Sequence, residues 1–145
     1  NEVQDLIMKF NSAKKKYNSQ SQSKIMLLQH TYVSDEKNEL DEAAKKFSEF
    51  YAHFGAWFQN QRPVNQASIK KLSSKELSLL DMYAPEKMKK NLLFGTIDEV
   101  TSRLKDYEKL GYDEFSYWID SGMSYDEKVS SLNNFIQRVM PAFKS

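Results

Sequence analysis

Between Gly95 and Phe143 the chain spells out a helix, a strand and a second helix, each with its own start and stop. Ile97, Val100, Leu104 and Tyr107 recur every three or four residues and so share one helical face. Thr96 can cap that helix, and Glu99, three residues on, completes a capping box. Gly111 stands where a glycine just past the last turn ends a helix. Phe115 to Ile119 is a short aromatic and β-branched run that suits a strand. Alternation along it puts Ser116, Trp118 and Asp120 on one side and Phe115, Tyr117 and Ile119 on the other. Ser124 and Glu127 form a second capping box. The helix that follows carries Val129, Leu132, Phe135, Ile136 and Val139 on one side and ends at Pro141. A helix feeding a buried strand and then another helix is the pattern of an α/β repeat.

The rest of the chain supplies one more strand and several helices. Residues 1–18 read as a helix with Val3, Leu6, Ile7, Phe10 and Ala13 on one face, closed by Lys14, Lys15 and Lys16, where positive charge suits the helix dipole. A polar connection over 18–23 leads to the strand candidate 24–33. Its apolar start is nearly continuous, as in a parallel strand buried on both faces, and it turns polar at Gln29, His30 and Thr31. A long helix is expected over 34–59, with an apolar stripe from Leu40 through Phe47 that widens into Phe50, Tyr51, Phe54, Trp57 and Phe58. That aromatic end suits either core packing, a subunit interface or the wall of an apolar pocket. Residues 60–74 lose the periodicity around Pro63 and read as a surface loop or lid. Short helices follow over 74–83 and from Pro85 to Met88, and Asn91 to Phe94 reads as a brief apolar connection.

Composition limits the chemistry. The 145 residues suit one compact domain, and a net charge of +1 gives no field that would draw in nucleic acid or an anionic membrane. No apolar run approaches the ~20 residues of a membrane span. There is no cysteine, hence no disulfide, thiolate nucleophile or cysteine metal site, which is compatible with the cytoplasm. The two histidines, His30 and His53, have no metal-site spacing, and no phosphate-binding or nucleophile-elbow motif occurs. The paired acids near helix starts, Asp98 with Glu99 and Asp126 with Glu127, read as capping and dipole residues rather than an acid/base pair. The opening Asn1 falls inside an apparent helix, where a natural start is not expected, so the chain reads as a piece of a longer protein.

The wording GT-x-DEV, RL-x-x-Y and LGYDEF over 95–115, followed by KVSSL and VMPAF over 128–143, resembles the C-terminal end of the luciferase-like flavin-dependent monooxygenases. Ile97 stands where that family usually has proline. The resemblance implies an α/β fold, the C-terminal portion of a (β/α)8 TIM barrel. Residues 24–33 would be its seventh strand, 34–90 a helical insertion after it, 96–110 the seventh helix, 114–119 the eighth strand and 125–140 the eighth helix. It also implies reduced FMN as cofactor, or F420 as in some relatives, with O2 oxygenating a small organic substrate. A separate flavin reductase and a homodimer go with it. Residues that hold the flavin phosphate lie mainly on earlier strands in that family, so none is carried over. Chemistry in such barrels gathers at the C-terminal ends of strands. Gln29, His30, Thr31, Trp118 and Asp120 are therefore the expected pocket residues, with Trp57 from the aromatic helix. The plainer alternatives are loop-satisfying polar groups for the first three and an Asp120-Ser121-Gly122 turn for the last. Two other readings stand beside the enzyme: a mostly helical interaction module using the face from Tyr51 to Phe58, and a non-catalytic flavin-binding relative.

Overall fold

The computed structural model describes residues 2–17, 20, 22–59, 62–120 and 122–143. Parts of the expected 18–23 connection and 60–74 loop, and Ser121 of the expected turn, lie outside them. In chain order the elements are α1 (Glu2–Tyr17), β1 (Met26–Val33), α2 (Lys37–Phe58), β2 (Val64–Asn65), β3 (Ser68–Ile69), α3 (Ser74–Leu79), α4 (Pro85–Asn91), β4 (Leu93–Gly95), α5 (Ile97–Leu110), β5 (Glu114–Trp118) and α6 (Tyr125–Asn134). This is a helix-rich α/β architecture built on a three-stranded parallel sheet in the order β4-β1-β5.

The central strand is the one whose apolar run promised burial. β1 pairs with β5 from Met26–Glu114 to His30–Trp118, and with β4 from Thr31–Leu93 to Val33–Gly95. Leu93 to Gly95, expected as a connection, is thus a strand, because its backbone completes the edge that β1 offers past Thr31. Beyond His30, among the described residues, no strand lies beside the other edge of β1. There α6 supplies side chains instead: Ser131 Oγ accepts from Val33 N–H at 2.8 Å, and Asn134 Nδ2 donates to Val33 C=O at 3.1 Å.

The two faces of the sheet divide the core in two. Val33, Leu93, Phe115 and Tyr117 meet Ile97, Val100 and Leu104 of α5 and Phe135 and Val139 beyond α6. Tyr32 and Phe94, one position out of phase, meet Ala43, Ala44 and Phe47 of α2 and Met88 of α4. Both capping boxes foreseen near the C-terminus are made, at Thr96–Glu99 and Ser124–Glu127, and a third occurs at Ser73–Glu76. Gly111 ends α5 at φ 99°, a left-handed conformation that suits glycine.

Three local expectations change. Residues 64–69 form a hairpin, not a plain loop, with Gln66 and Ala67 at φ 48° and 58°. The long helix begins at Lys37 because Ser34 is drawn out of it, its hydroxyl donating to Glu39 and accepting from Glu36 N–H. The last helix passes into a wider π-turn over Phe135–Val139 and a 3-10 turn over Met140–Phe143. Within that turn Phe135 and Val139 are buried and Ile136 is 46 % exposed, while Ser131, one turn earlier, is buried.

Candidate functional site

The polar tail of β1 is split by strand alternation. His30 points to the α2 side and Gln29 and Thr31 to the other. Thr31 is buried and its hydroxyl donates to its own strand, at Gln29 C=O. Gln29 donates to Asn91 C=O at 2.7 Å and accepts from the Tyr107 hydroxyl. Gln29 thus ties β1 to α4 and α5, while the Thr31 hydroxyl is spent within β1 itself.

His30 is the centre of an aromatic cluster. Its ring lies over the Trp118 indole at 3.9 Å, tilted by only 15°. Phe47, Phe50 and Tyr51 of α2 meet it edge-on at 5.9, 5.6 and 5.2 Å. The cross-strand register explains the stack, because His30 and Trp118 are direct partners on one face of the β1–β5 ladder. Both ring nitrogens are engaged. Nε2 lies 2.7 Å from the Asp120 carbonyl oxygen, which can only accept, so Nε2 carries the proton. Burial holds the imidazole below its ordinary pKa, so the ring is neutral and Nδ1 is an acceptor. The Tyr51 hydroxyl, 2.5 Å away, donates to it. Burial in turn raises the Tyr51 phenol.

Asp120 therefore enters through its backbone, while its carboxylate reaches outward to Lys128 at 3.0 Å. Trp57 stands apart. It is 55 % exposed near the end of α2 and touches Phe54 and Phe58. A ladder of rings does run from His30 through Phe50 and Phe54 toward it. Tyr51 was visible in the sequence only as one more ring of the aromatic stripe. Its role as the donor to His30 depends on a contact 21 residues away, for which no local signal exists.

Trp118 has one ring face against His30 and is 40 % exposed. On the same side of the sheet Leu28 and Met26 are 50 % and 53 % exposed, so an apolar ledge runs down from the indole along β1. On the α5 face of the sheet a groove of about 320 Å³, lined among others by Leu27, Leu104, Tyr107, Phe115, Phe135 and Met140, is also largely apolar. A groove of about 720 Å³ is lined by charged residues, Lys37, Asp41, Lys89 and Arg103 among them. Its charges are largely used among themselves: Lys89 pairs with Asp41 and Glu86, and Arg103 holds the carbonyls of Lys89, Lys90 and Phe94. A smaller groove of about 460 Å³ is acidic, with Glu39, Glu42 and Glu127 around Tyr32. Burial, with Glu39 and Glu127 nearby, pushes the Tyr32 phenol up to about 12. Among the described residues no group of three or more His, Asp or Glu side chains is placed to hold a metal ion. No helix among them is long and apolar enough to cross a membrane.

A flavin is implied by the sequence resemblance, and the ledge tests it. An uncharged stacked indole beside exposed Leu28 and Met26 fits the apolar ring system of a flavin or a planar substrate.

The aromatic cluster lies toward the C-terminal ends of parallel strands, where α/β folds commonly place ligands. No family model matches the chain. It is similar to the oxygenase component of the flavin-dependent trigonelline monooxygenase of Acinetobacter baylyi, 48 % identical over 142 residues, or 98 % of the chain. The match covers 39 % of that protein, so the chain spans about two-fifths of the relative's length. The similarity is thus to part of a flavin-dependent oxygenase and extends well beyond the C-terminal motifs.

Proposed function

We propose that this chain is the C-terminal part of the oxygenase component of a luciferase-like, two-component flavin monooxygenase. The observation that carries the reading is the 48 % identity along nearly the whole chain to the oxygenase component of a flavin-dependent monooxygenase. In this reading β1 and β5 are the seventh and eighth strands of a (β/α)8 barrel, 34–90 is a helical insertion and 95–143 the closing helix-strand-helix. The parallel β1–β5 pairing, with α5 and the end of the last helix packed on one face, supports that assignment. The cofactor is reduced FMN, with F420 the alternative, and the partners are a flavin reductase and a second copy of the protein in the cytoplasm. That the relative is an oxygenase component supports a separate reductase. Its trigonelline specificity makes that compound the first substrate to try here.

When bound, the reduced flavin supplies two electrons that, with O2, place one oxygen atom in the substrate and release the other as water. The residues of this chain do the positioning. Trp118, Leu28 and Met26 present an apolar face to a planar ring and keep water from it. His30, Tyr51 and the Asp120 carbonyl hold the indole in place. Gln29 and Thr31 fix the strand beneath. Trp57, Phe54 and Phe58 line the approach along α2.

The test is made on the intact purified protein. Its mass and its absorbance spectrum with FMN are recorded first, followed by O2 and trigonelline consumption with a reductase and NADH. A mass about 2.5 times that of these 145 residues, from the matched share of the relative, with flavin bound and coupled turnover, is expected. Flavin binding without turnover on any organic substrate would favour the non-catalytic relative. Neither binding nor turnover would leave the exposed Phe54, Trp57 and Phe58 as a protein-interaction face, the one observation that favours that reading.

A further inference from the structure

We propose that the acidic groove between the starts of α2 and α6 binds an aliphatic diamine, with the Tyr32 hydroxyl accepting from one of its ammonium groups. The site goes beyond the flavin-monooxygenase reading and does not depend on it.

The argument begins with charge. Glu39 and Glu42, three residues apart on α2, share one helical face, and Asp126 and Glu127 open α6 on the other wall of the groove. Carboxylates gathered in this way repel one another, and the low-dielectric walls of a cleft concentrate their field. Two lysines answer the four. Lys46 joins α2 to Glu127, and Lys45 pairs with Glu42 where both side chains are exposed and the attraction is screened. Glu39 spends one carboxylate oxygen on the Ser34 hydroxyl and keeps the other. Asp126 enters no ion pair among the described residues. Two negative charges are left unmatched.

Tyr32 supplies a second and independent observation. It is 3 % exposed, yet it lines the groove, and no hydrogen bond among the described residues uses its hydroxyl. The oxygen reaches the groove and is not sealed behind it, where it would be a buried polar atom without a partner. Its ring is fixed against Phe94 at 5.4 Å and within the cluster around Phe47, so the hydroxyl is presented at one place. Burial first, then Glu39 and Glu127, push the phenol up to about 12. The group therefore stays a neutral hydroxyl, able to accept an N–H while giving its own proton to a carboxylate.

The donor set selects an organic cation. A divalent metal ion needs several oxygens converging at about 2.0–2.6 Å, and no three acidic side chains among the described residues are so placed. An ammonium group carries three N–H donors that reach oxygens at about 2.7–2.9 Å. Two such groups on one chain match both unmatched charges without drawing the carboxylates together. Between the carboxylates the wall is largely side-chain carbon, against which methylene groups pack. One ammonium then donates to Tyr32 Oη and the free oxygen of Glu39, and the other to Asp126. A quaternary nitrogen, which has no N–H, would leave the Tyr32 oxygen unserved.

The experiment is calorimetry on the intact protein with 1,5-diaminopentane, butylamine and magnesium chloride, at one ionic strength. The diamine is expected to bind at least about 5-fold more tightly than butylamine or magnesium. Tyr32→Phe keeps the ring and should weaken diamine binding about 10-fold, the loss of one hydrogen bond to a charged donor. Asp126→Asn should weaken it about 5-fold. Glu108→Gln, an exposed acid on α5 away from the groove, should change it by less than about 2-fold and so controls for overall charge. Magnesium binding as tightly as the diamine would overturn the proposal, since the groove would then hold only a diffuse counterion. Full affinity in Tyr32→Phe, equal losses in Glu108→Gln and Asp126→Asn, or no diamine binding by the wild type would overturn it as well. Should one groove variant fail to fold, the other decides. The same titrations with and without FMN keep the two readings apart, because loss of flavin binding leaves the diamine result standing.

Discussion

Replacing Tyr51 by Phe removes one oxygen and tests the hydrogen-bond chain at the centre of the aromatic cluster. In the native protein the Tyr51 hydroxyl donates to His30 Nδ1 at 2.5 Å, and Nε2–H donates to the Asp120 carbonyl at 2.7 Å. Phenylalanine keeps the ring contacts at 5.2 Å to His30 and 5.6 Å to Phe50 but leaves Nδ1 desolvated and unpaired. An unsatisfied acceptor at a site this deeply buried costs about 1–3 kcal/mol. The pH dependence carries the sharper test. Burial lowers the native His30 pKa below 6.5, so the native state stays neutral while the unfolded chain takes up a proton. Stability is therefore full above pH 6.5 and declines as the pH falls from there, by at most about 1.4 kcal/mol per pH unit, until the native ring is itself protonated. The Tyr51 bond favours the neutral ring only, so its loss raises the native pKa and narrows that window. Urea unfolding of the intact wild type and Tyr51→Phe proteins should show the full gap at pH 8 and a smaller one at pH 5.5. Nitrogen NMR of labelled His30 should show the proton on Nε2. A gap that does not change with pH, or a proton on Nδ1, would refute the assignment of donor and acceptor.

Three further outcomes can be measured in the same protein. Ser131→Ala should cost about 1–3 kcal/mol in urea unfolding, because its hydroxyl serves the buried Val33 N–H at 2.8 Å and, beside it, the half-buried Tyr117 hydroxyl at 2.6 Å. Gly111→Ala should lower stability by about 1 kcal/mol: the added Cβ would meet nothing nearer than 3.8 Å, so only the left-handed φ of 99° is costly. The Glu127 carboxylate is held down to about 2, first by Lys46 and then by the Ser124 hydroxyl, so its contribution is present above pH 4.5 and lost as the pH falls toward 2. Lys46→Met should flatten that part of the acid-unfolding curve, and an unchanged curve would show that the pair contributes nothing.

How much of this the residues foretold follows from how local each determinant is. The capping boxes at Thr96–Glu99 and Ser124–Glu127 and the stop at Gly111 are decided within four residues, and the structure has all three. The alternation of Phe115 and Tyr117 against Trp118 is equally local, and it placed the indole on the correct face. What escaped depends on partners far along the chain. β4 is three residues long and exists because β1 has an open edge there, 62 positions earlier in the pairing of Thr31 with Leu93. The β2–β3 hairpin turns through Gln66 and Ala67 at positive φ, where an Asn-Gly pair would have announced it. Ile97 N–H donates to Asp35 at 3.2 Å, while Arg138 takes the other carboxylate oxygen at 2.8 Å. That link cannot be seen without the loop after β1 folded against α5.

The sheet itself supplies the last step. Parallel strands are ordinarily covered on both faces because their connections lay helices on each side. Here α5 and α6 cover one face from end to end, while α2 covers only the C-terminal half of the other. Along β1 the side chains on that second face pass from 53 % and 50 % exposed at Met26 and Leu28 to 3 % at His30 and Tyr32. The boundary falls at the His30–Trp118 pair. In the proposed barrel the exposed half faces the interior and the covered half meets an insertion resting on the mouth. The cluster of His30, Tyr51 and Trp118 would then sit at the junction of lumen and lid, with one indole face packed and the other open to whatever enters. A histidine neutralised by burial belongs at such a junction: it stiffens the wall without adding a charge that a bound ring would have to face.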